Sequence, residues 1–341
     1  MKKTSLNDIA KSLNVSKTLV SFVLNNHGDK NGISSKTQKI VLEKAKEMNY
    51  KPNHMARGLR LGKTQTLGLI VADISNTFYA KMAKKIEEVA NQHHYNLIFC
   101  SSDENPEKEI ELINMLKERQ VDGIIISTTQ KKGAVFSWLK KENYPFVLID
   151  RKLPKLITNF AGVDNFTGAY EATEQLIKNG GRKIGLLNIS PSYLSTIADR
   201  ERGYRSALKD HGMRCNNKLI RTIDYAHIRP QVRAVLSELL EPPYKIDALF
   251  SINNNITVAC MEYLNEMNIN IPLDVAMVSF DDIDLFRLSC PTITAVAQPI
   301  EEIGESAVNI LLDEINGLTT DKKQVLLPVK LIKRRSCGRD V

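Results

Sequence analysis

Residues 5–25 read SLNDIAKSLNVSKTLVSFVLN. Ser5 followed three places on by Asp8 is a capping-box pattern, and Leu6, Ile9, Ala10 and Leu13 then recur at helical spacing, so an amphipathic helix starts here. Asn14-Val15 ends it, and Ser16 caps a second helix whose inward positions are Leu19, Val20, Val23 and Leu24. Lys17, Thr18, Ser21, Phe22 and Asn25 are left on the outward face. Two short helices joined by a tight turn, the second offering small polar and basic side chains, describe a helix-turn-helix whose second helix fits a DNA major groove.

Working outward, a polar turn-rich loop (residues 26–32) leads to a third helix, capped by Ser34 or Ser35 and running to about Met48, with Ile40, Val41 and Ala45 as its inward stripe. Tyr50-Lys51-Pro52 closes this head at residue 52. Asn53 caps a further segment, His54 to Leu61, stopped by Gly62; it is too short to hold a helix alone and is expected to order on contact, which makes 53–63 a hinge or linker. Charge marks the same boundary. Residues 1–63 hold 13 Lys and Arg against four Asp and Glu, a balance of +9 out of a chain total of +8, so the remainder is close to neutral at −1. A basic head on a neutral body is the footprint of a polyanion partner.

At 341 residues the chain suits two or three domains, and 43% hydrophobic with 25% charged residues is ordinary globular composition. The five cysteines are scattered and odd in number, with no C-x-x-C pair, which argues against a disulfide framework or a zinc site. No apolar run reaches membrane-spanning length and no signal peptide is read at the start, so the expectation is a soluble, cytoplasmic protein without membrane, metal or cofactor.

From Thr66 short apolar runs alternate with amphipathic helices. Strands are expected at 67–72, 96–100, 122–127, 146–150 and 162–164, then 183–189, 219–223, 248–252 and 275–280. Helices are expected at 78–94, 106–119, 133–143, 166–179, 200–212, 229–240 and 255–268. This is the rhythm of parallel sheets, and it gives two doubly wound lobes. A tail follows, with a strand at 294–297, a helix at 299–316 and one terminal strand near 325–333. Ligands bind such sheets beyond the carboxyl ends of the strands. Those loops carry Asp73, Asn76, Phe78, Tyr79, Ser127, Thr128, Asp150 and Arg151 in the first lobe. In the second they carry Ser195, Thr196, Arg200, Asp224, Tyr225, Asn253, Asn254, Asp281 and Asp282. Carboxylates, amides, arginines and aromatics suit a small polyhydroxylated ligand.

The pattern D-I-A-(x4)-V-S-(x3)-V-S-(x2)-L-N, followed by Tyr50-(x)-Pro52-Asn53 and Ala56-Arg57-(x)-Leu59, resembles the DNA-reading head of the lactose-repressor family of bacterial transcription regulators, and the likeness runs on through the chain. The resemblance implies a homodimer, with a tetramer as the other option, on double-stranded operator DNA. It implies DNA contacts from Ser5, Ser16, Lys17, Thr18, Ser21, Phe22 and Asn25, and from His54, Ala56, Arg57 and Leu59 in the hinge, where Leu59 matches a leucine that wedges between base pairs in the minor groove. It implies an effector-binding and dimerisation domain over 64–341 of periplasmic-binding-protein type. Its chain crosses between lobes near 163, 292 and 325, giving an N-lobe of about 64–163 plus 293–324 and a C-lobe of about 164–292 plus 325–341. Phe78, Tyr79, Asp150, Thr196, Arg200, Tyr225, Asn253 and Asp281 fall at its effector positions. Two departures stand out: Asn253-Asn254 replaces the usual Asn-Asp, and Phe22 stands where members commonly present a polar group to the bases.

No glycine-rich phosphate loop, H-E-x-x-H or G-x-S-x-G pattern occurs, so an enzyme is not expected. The expected function is an effector-responsive repressor of carbohydrate-utilisation genes. A nucleobase-responsive, corepressor-dependent regulator and a ligand-binding protein of periplasmic sugar-binding type are the alternatives, and neither the sign of the response nor the effector is readable.

Overall fold

The computed structural model describes residues 4–50, 63–319 and 321–338. The chain divides into two units, Met1–Thr64 and Gln65–Val341. His54, Ala56, Arg57 and Leu59 lie outside the described residues.

In the first unit, α1 (Leu6–Leu13) opens on a full capping box: the Ser5 hydroxyl accepts from the Asp8 amide while the Asp8 carboxylate accepts from the Ser5 amide at 2.8 Å. Asn14 closes it in the left-handed conformation, and Ser16 caps α2 (Lys17–Leu24) by accepting from the Leu19 amide at 3.1 Å. α3 (Ser35–Glu47) is capped by Ser34. The three helices bury Ile9, Ala10, Val20, Val23, Val41 and Ala45 together, with Leu6, Leu13, Leu19, Leu24 and Ile33 around them. Ile40 is a correction: it is 44% exposed. Adjacent helical positions point about 100° apart, and Val41, one turn before Ala45, takes the inward place.

The second unit holds two six-stranded sheets. The first contains β1 (Thr66–Val71), β2 (Asn96–Ser101), β3 (Gly123–Ile126), β4 (Phe146–Ile149), β5 (Phe160–Val163) and β11 (Gln324–Leu327), in the order β11-β5-β4-β3-β1-β2 and parallel throughout. The second contains β6 (Ile184–Ile189), β7 (Ile220–Ile223), β8 (Ala248–Ser251), β9 (Ala276–Phe280), β10 (Thr294–Ala297) and β12 (Lys330–Ile332), in the order β12-β10-β9-β8-β6-β7, with only β12 antiparallel. Helices α4 (Thr77–Gln92), α5 (Pro106–Glu118), α6 (Ala134–Lys141) and α12 (Ile300–Ile315) belong to the first lobe. α7 (Asn165–Lys178), α8 (Ser195–Asp210), α9 (Ile228–Leu239), α10 (Asn254–Glu266) and the short α11 (Asp284–Leu288) belong to the second. The inner strands are almost wholly apolar and buried, as sheets covered on both faces require, while the edge strands β2, β7, β11 and β12 are largely half-buried or exposed.

Three expectations are revised. β10 sits in the second sheet, so the chain leaves that lobe after Ala297 rather than near 292. The single terminal strand is two, β11 in the first sheet and β12 in the second, and the last crossing falls at 328–329 rather than near 325. Pro328 between them explains the break, because it offers no amide to a ladder. Finally, α8 begins at Ser195, not 200, which places Thr196 and Arg200 one turn apart on a single buried face.

Candidate functional site

Each sheet reverses its strand order once, between β1 and β3 and between β6 and β8. Loops leaving strands beside such a switch diverge and leave a crevice. In this protein the two crevices face one cavity. All eight residues expected to hold an effector line it: Phe78, Tyr79 and Asp150 from the first lobe, and Thr196, Arg200, Tyr225, Asn253 and Asp281 from the second. Asp73, Asn76 and Arg151 line it too. The free space is small, about 40 Å³, far below the ~300–1,000 Å³ of ligand pockets.

Hydrogen bonds between the lobes account for the narrowness. The Asn254 amide donates to Asn76 Oδ1 at 3.0 Å, the Lys152 backbone amide donates to Ser195 Oγ at 2.9 Å, and the Tyr193 hydroxyl donates to the Thr129 carbonyl at 2.9 Å. Near the rim Lys81 pairs with Asp284 at 3.3 Å.

Arg200 is the most constrained side chain of the second lobe's wall. Its Nε donates to Asn165 Oδ1 and its Nη1 to the Ile252 carbonyl, both at 2.8 Å, and its guanidinium lies 3.6 Å from the centre of the Phe280 ring. The Asp281 carboxylate stands 3.8 Å away. Burial lowers the Arg200 pKa and raises that of Asp281, and the attraction between the two opposes both shifts. In the first lobe Arg151 forms a two-pronged pair with Glu104 at 2.7 and 2.5 Å, and its Nε lies 3.5 Å from Asp150. Asp150 also accepts from the Tyr79 hydroxyl at 2.9 Å, and burial pushes that phenol well above its ordinary pKa.

Asp150 and Asp281 occupy matching places, directly after β4 and β9, and both adopt left-handed backbone, φ 60° and 68°. Such a conformation is tolerated by Asp and turns each carboxylate out of its strand direction into the cleft. Not every loop residue joins them. Asp282 is held by Arg334 through two 2.7 Å bonds, Asp224 caps the turn at 225–227, and Thr128 donates to the buried Glu109. Glu104 and Gln298, which also line the cavity, were not anticipated, although both follow the carboxyl ends of strands, β2 and β10.

In the head, Lys17, Thr18 and Ser16 are exposed, while Ser21, Phe22 and Asn25 are half-buried. The Ser16 hydroxyl accepts from its helix and keeps its proton for another acceptor, whereas Ser5 donates its proton to Asp8 at 2.7 Å. The Asn25 amide turns back to the Ser21 carbonyl at 2.7 Å. Phe22 takes no part in the head's apolar core.

Comparison with known proteins bears on both units. Residues 5–53 match the lacI family of bacterial regulatory proteins and residues 173–337 match the periplasmic binding protein-like domain. Catabolite control protein A of Priestia megaterium is 32% identical over 334 residues, covering 96% of this chain and 98% of that protein. The chain belongs to the lacI family. As a member it is a DNA-binding transcriptional regulator, and its relatives are regulators rather than enzymes. A solved lacI-family regulator from Enterococcus faecium with bound ribose is 28% identical at a TM-score of 0.70, covering 80% of this chain and 98% of that one. The lac repressor dimer bound to operator and an anti-inducer shares the fold at a TM-score of 0.85, with 22% identity and coverage of 99% and 100%. Among the described residues of this lacI-family chain, no helix is long and apolar enough to cross a membrane.

Proposed function

We propose that this regulator is an effector-responsive repressor of carbohydrate-utilisation genes that binds a near-palindromic operator as a homodimer. The observation that carries the effector half is the convergence of eight expected residues from two lobes on one cavity. Hydroxyls of a sugar or sugar derivative can donate to Asp150 and Asp281 and accept from Arg200 and Asn253, with Phe78, Tyr79 and Tyr225 covering its C–H faces. For DNA, Lys17, Thr18, Ser21 and Phe22 approach base edges, Phe22 against a thymine methyl, while Ser16 and the head's lysines hold phosphates. Ser5 and Asn25 stabilise the helices that carry these contacts. His54, Ala56, Arg57 and Leu59 serve the minor groove.

On the second lobe the 77% exposed Leu288 and the 47% exposed Leu285, the latter at a groove of about 480 Å³ that mixes Val258, Met261 and Ile269 with Glu262, Asn265 and Asn268, supply a surface for a second copy. Ligand in the cleft alters the lobes and so the pairing of the two heads.

The test is a salt titration of duplex binding, using a palindrome selected from random DNA. The expected result is a log K that falls linearly and steeply with log salt, with a slope of about −0.9 per phosphate contact, and a slope shallower by about one when a phosphate-holding lysine of the head is replaced by alanine. A slope near zero would refute the assignment of the head.

A further inference from the structure

The charges around the cleft do not balance. Four carboxylates line it, Asp73, Glu104, Asp150 and Asp281, against two guanidiniums, Arg151 and Arg200. Arg151 is shared, gripped through both terminal nitrogens by Glu104 while its Nε faces Asp150 at 3.5 Å. Arg200 answers Asp281 at 3.8 Å. Asp73 has no cation within ion-pair reach among the described residues, although it is only 8% exposed; its carboxylate accepts from the Ser75 amide and hydroxyl, and burial together with its charge raises the pKa of the nearby Tyr225 phenol. The walls therefore carry a formal surplus of two negative charges around a narrow cavity.

Several donors on the walls are already engaged: two nitrogens of Arg200 with Asn165 and Ile252, the terminal nitrogens of Arg151 with Glu104, the Tyr79 hydroxyl with Asp150, and the Gln298 amide with Asp281 at 2.5 Å. Among the lining side chains, one donor, Arg151 Nε, and one acceptor, Gln298 Oε1, are buried without a hydrogen-bond partner, and Arg151 Nε already faces Asp150 at 3.5 Å. Phe78, Tyr79 and Tyr225 add ring faces, which attract cations. An anionic ligand would bring further negative charge to such walls, while an ammonium would supply the missing charge together with several donors.

We propose that the effector of this cleft is a polyol bearing an amine, of the amino-sugar class, held through its ammonium by Asp73 and Asp150, and that phosphorylated and carboxylated sugars are rejected. This rests on the cleft being the effector site.

The experiment is calorimetric titration of the full chain with ligands that share a skeleton and differ in charge: glucose, glucosamine, glucose 6-phosphate and gluconate, and the corresponding galactose series. The amine is expected to bind at least tenfold more tightly than its neutral counterpart, with the phosphate and acid weakest. In Asp73→Asn and Asp150→Asn, with melting temperatures confirming that each folds, that preference should vanish, with the neutral sugar binding as before in Asp73→Asn and bound more weakly in Asp150→Asn, which also loses an acceptor for sugar hydroxyls. Tightest binding by a phosphate or acid, no binding by either amine, or an amine preference that survives in both variants would overturn the proposal. Arg200→Ala separates the two levels of the account. Loss of phosphate-sugar binding in that variant would leave the cleft as the site and remove only the ligand class, whereas binding of any member that is indifferent to Arg200→Ala would remove the cleft itself.

Discussion

Asn76 and Asn254 show how one atom type can decide a position. Asn76 Oδ1 accepts from the Phe78 amide, capping α4, and from Asn254 across the cleft. With its oxygen fixed by the helix, Asn76 needs a donor opposite, and the carboxylate usual at position 254 in the family would set oxygen against oxygen. The amide at Asn254 reads in the sequence as a missing charge; in the structure it is a donor joining two lobes. Asn254→Asp should therefore loosen the closed form. Leaving a buried acceptor unpaired costs about 1–3 kcal/mol, so effector affinity measured by calorimetry should fall roughly 5- to 150-fold while operator binding without effector persists. Unchanged affinity would show that this bond does not hold the lobes together.

Among the elements, α7 and α8 make the tightest crossing that the glycines reveal. A Cβ on Gly203 would come within 2.4 Å of the Phe166 carbonyl oxygen and 2.9 Å of the Tyr170 amide, both backbone atoms that cannot swing aside. α8 carries Thr196 and Arg200, and α7 begins at Asn165, the partner of Arg200, so this close approach positions the cleft wall. Gly203→Ala should cost about 1–3 kcal/mol, seen as a lowered melting temperature, and should weaken effector binding as well. Elements were legible in the sequence where their signals are local: the caps at Ser5 and Ser16, the alternation of apolar runs and amphipathic helices, and the rule that ligand groups follow strand ends. Signals that depend on distant partners were not legible. Nothing local says that Ile40 gives way to Val41, that the polar stretch after Pro191 already starts α8, that Asp150 and Asp281 turn left-handed, or that the strand Thr294–Ala297 joins the second sheet rather than beginning a separate tail, which brings Gln298 to the cavity.

At the scale of the whole molecule, the net positive charge is confined to residues 1–63 and the cavity lies between the two lobes, so the proposed DNA grip and the proposed sensing of a small molecule fall to different parts of the chain. Symmetric DNA asks for a symmetric protein. Leu288, placed on α11 with Leu285, which is 47% exposed, is expected to be covered by a second copy. Leu288→Asp should shift the chain toward monomer in sedimentation velocity and weaken operator binding with it; an unchanged dimer would move the interface elsewhere. The link between the two functions is what the account depends on most. It is tested by the affinity of the full chain for its selected palindrome, measured by fluorescence anisotropy with and without a saturating cleft ligand, in the natural protein and in Arg200→Ala. A ligand-induced change of about 5- to 150-fold is expected in the natural protein, matching a coupling of about 1–3 kcal/mol, and none in the variant. An identical change in both proteins, or an affinity that ligand leaves untouched in the natural one, would contradict it.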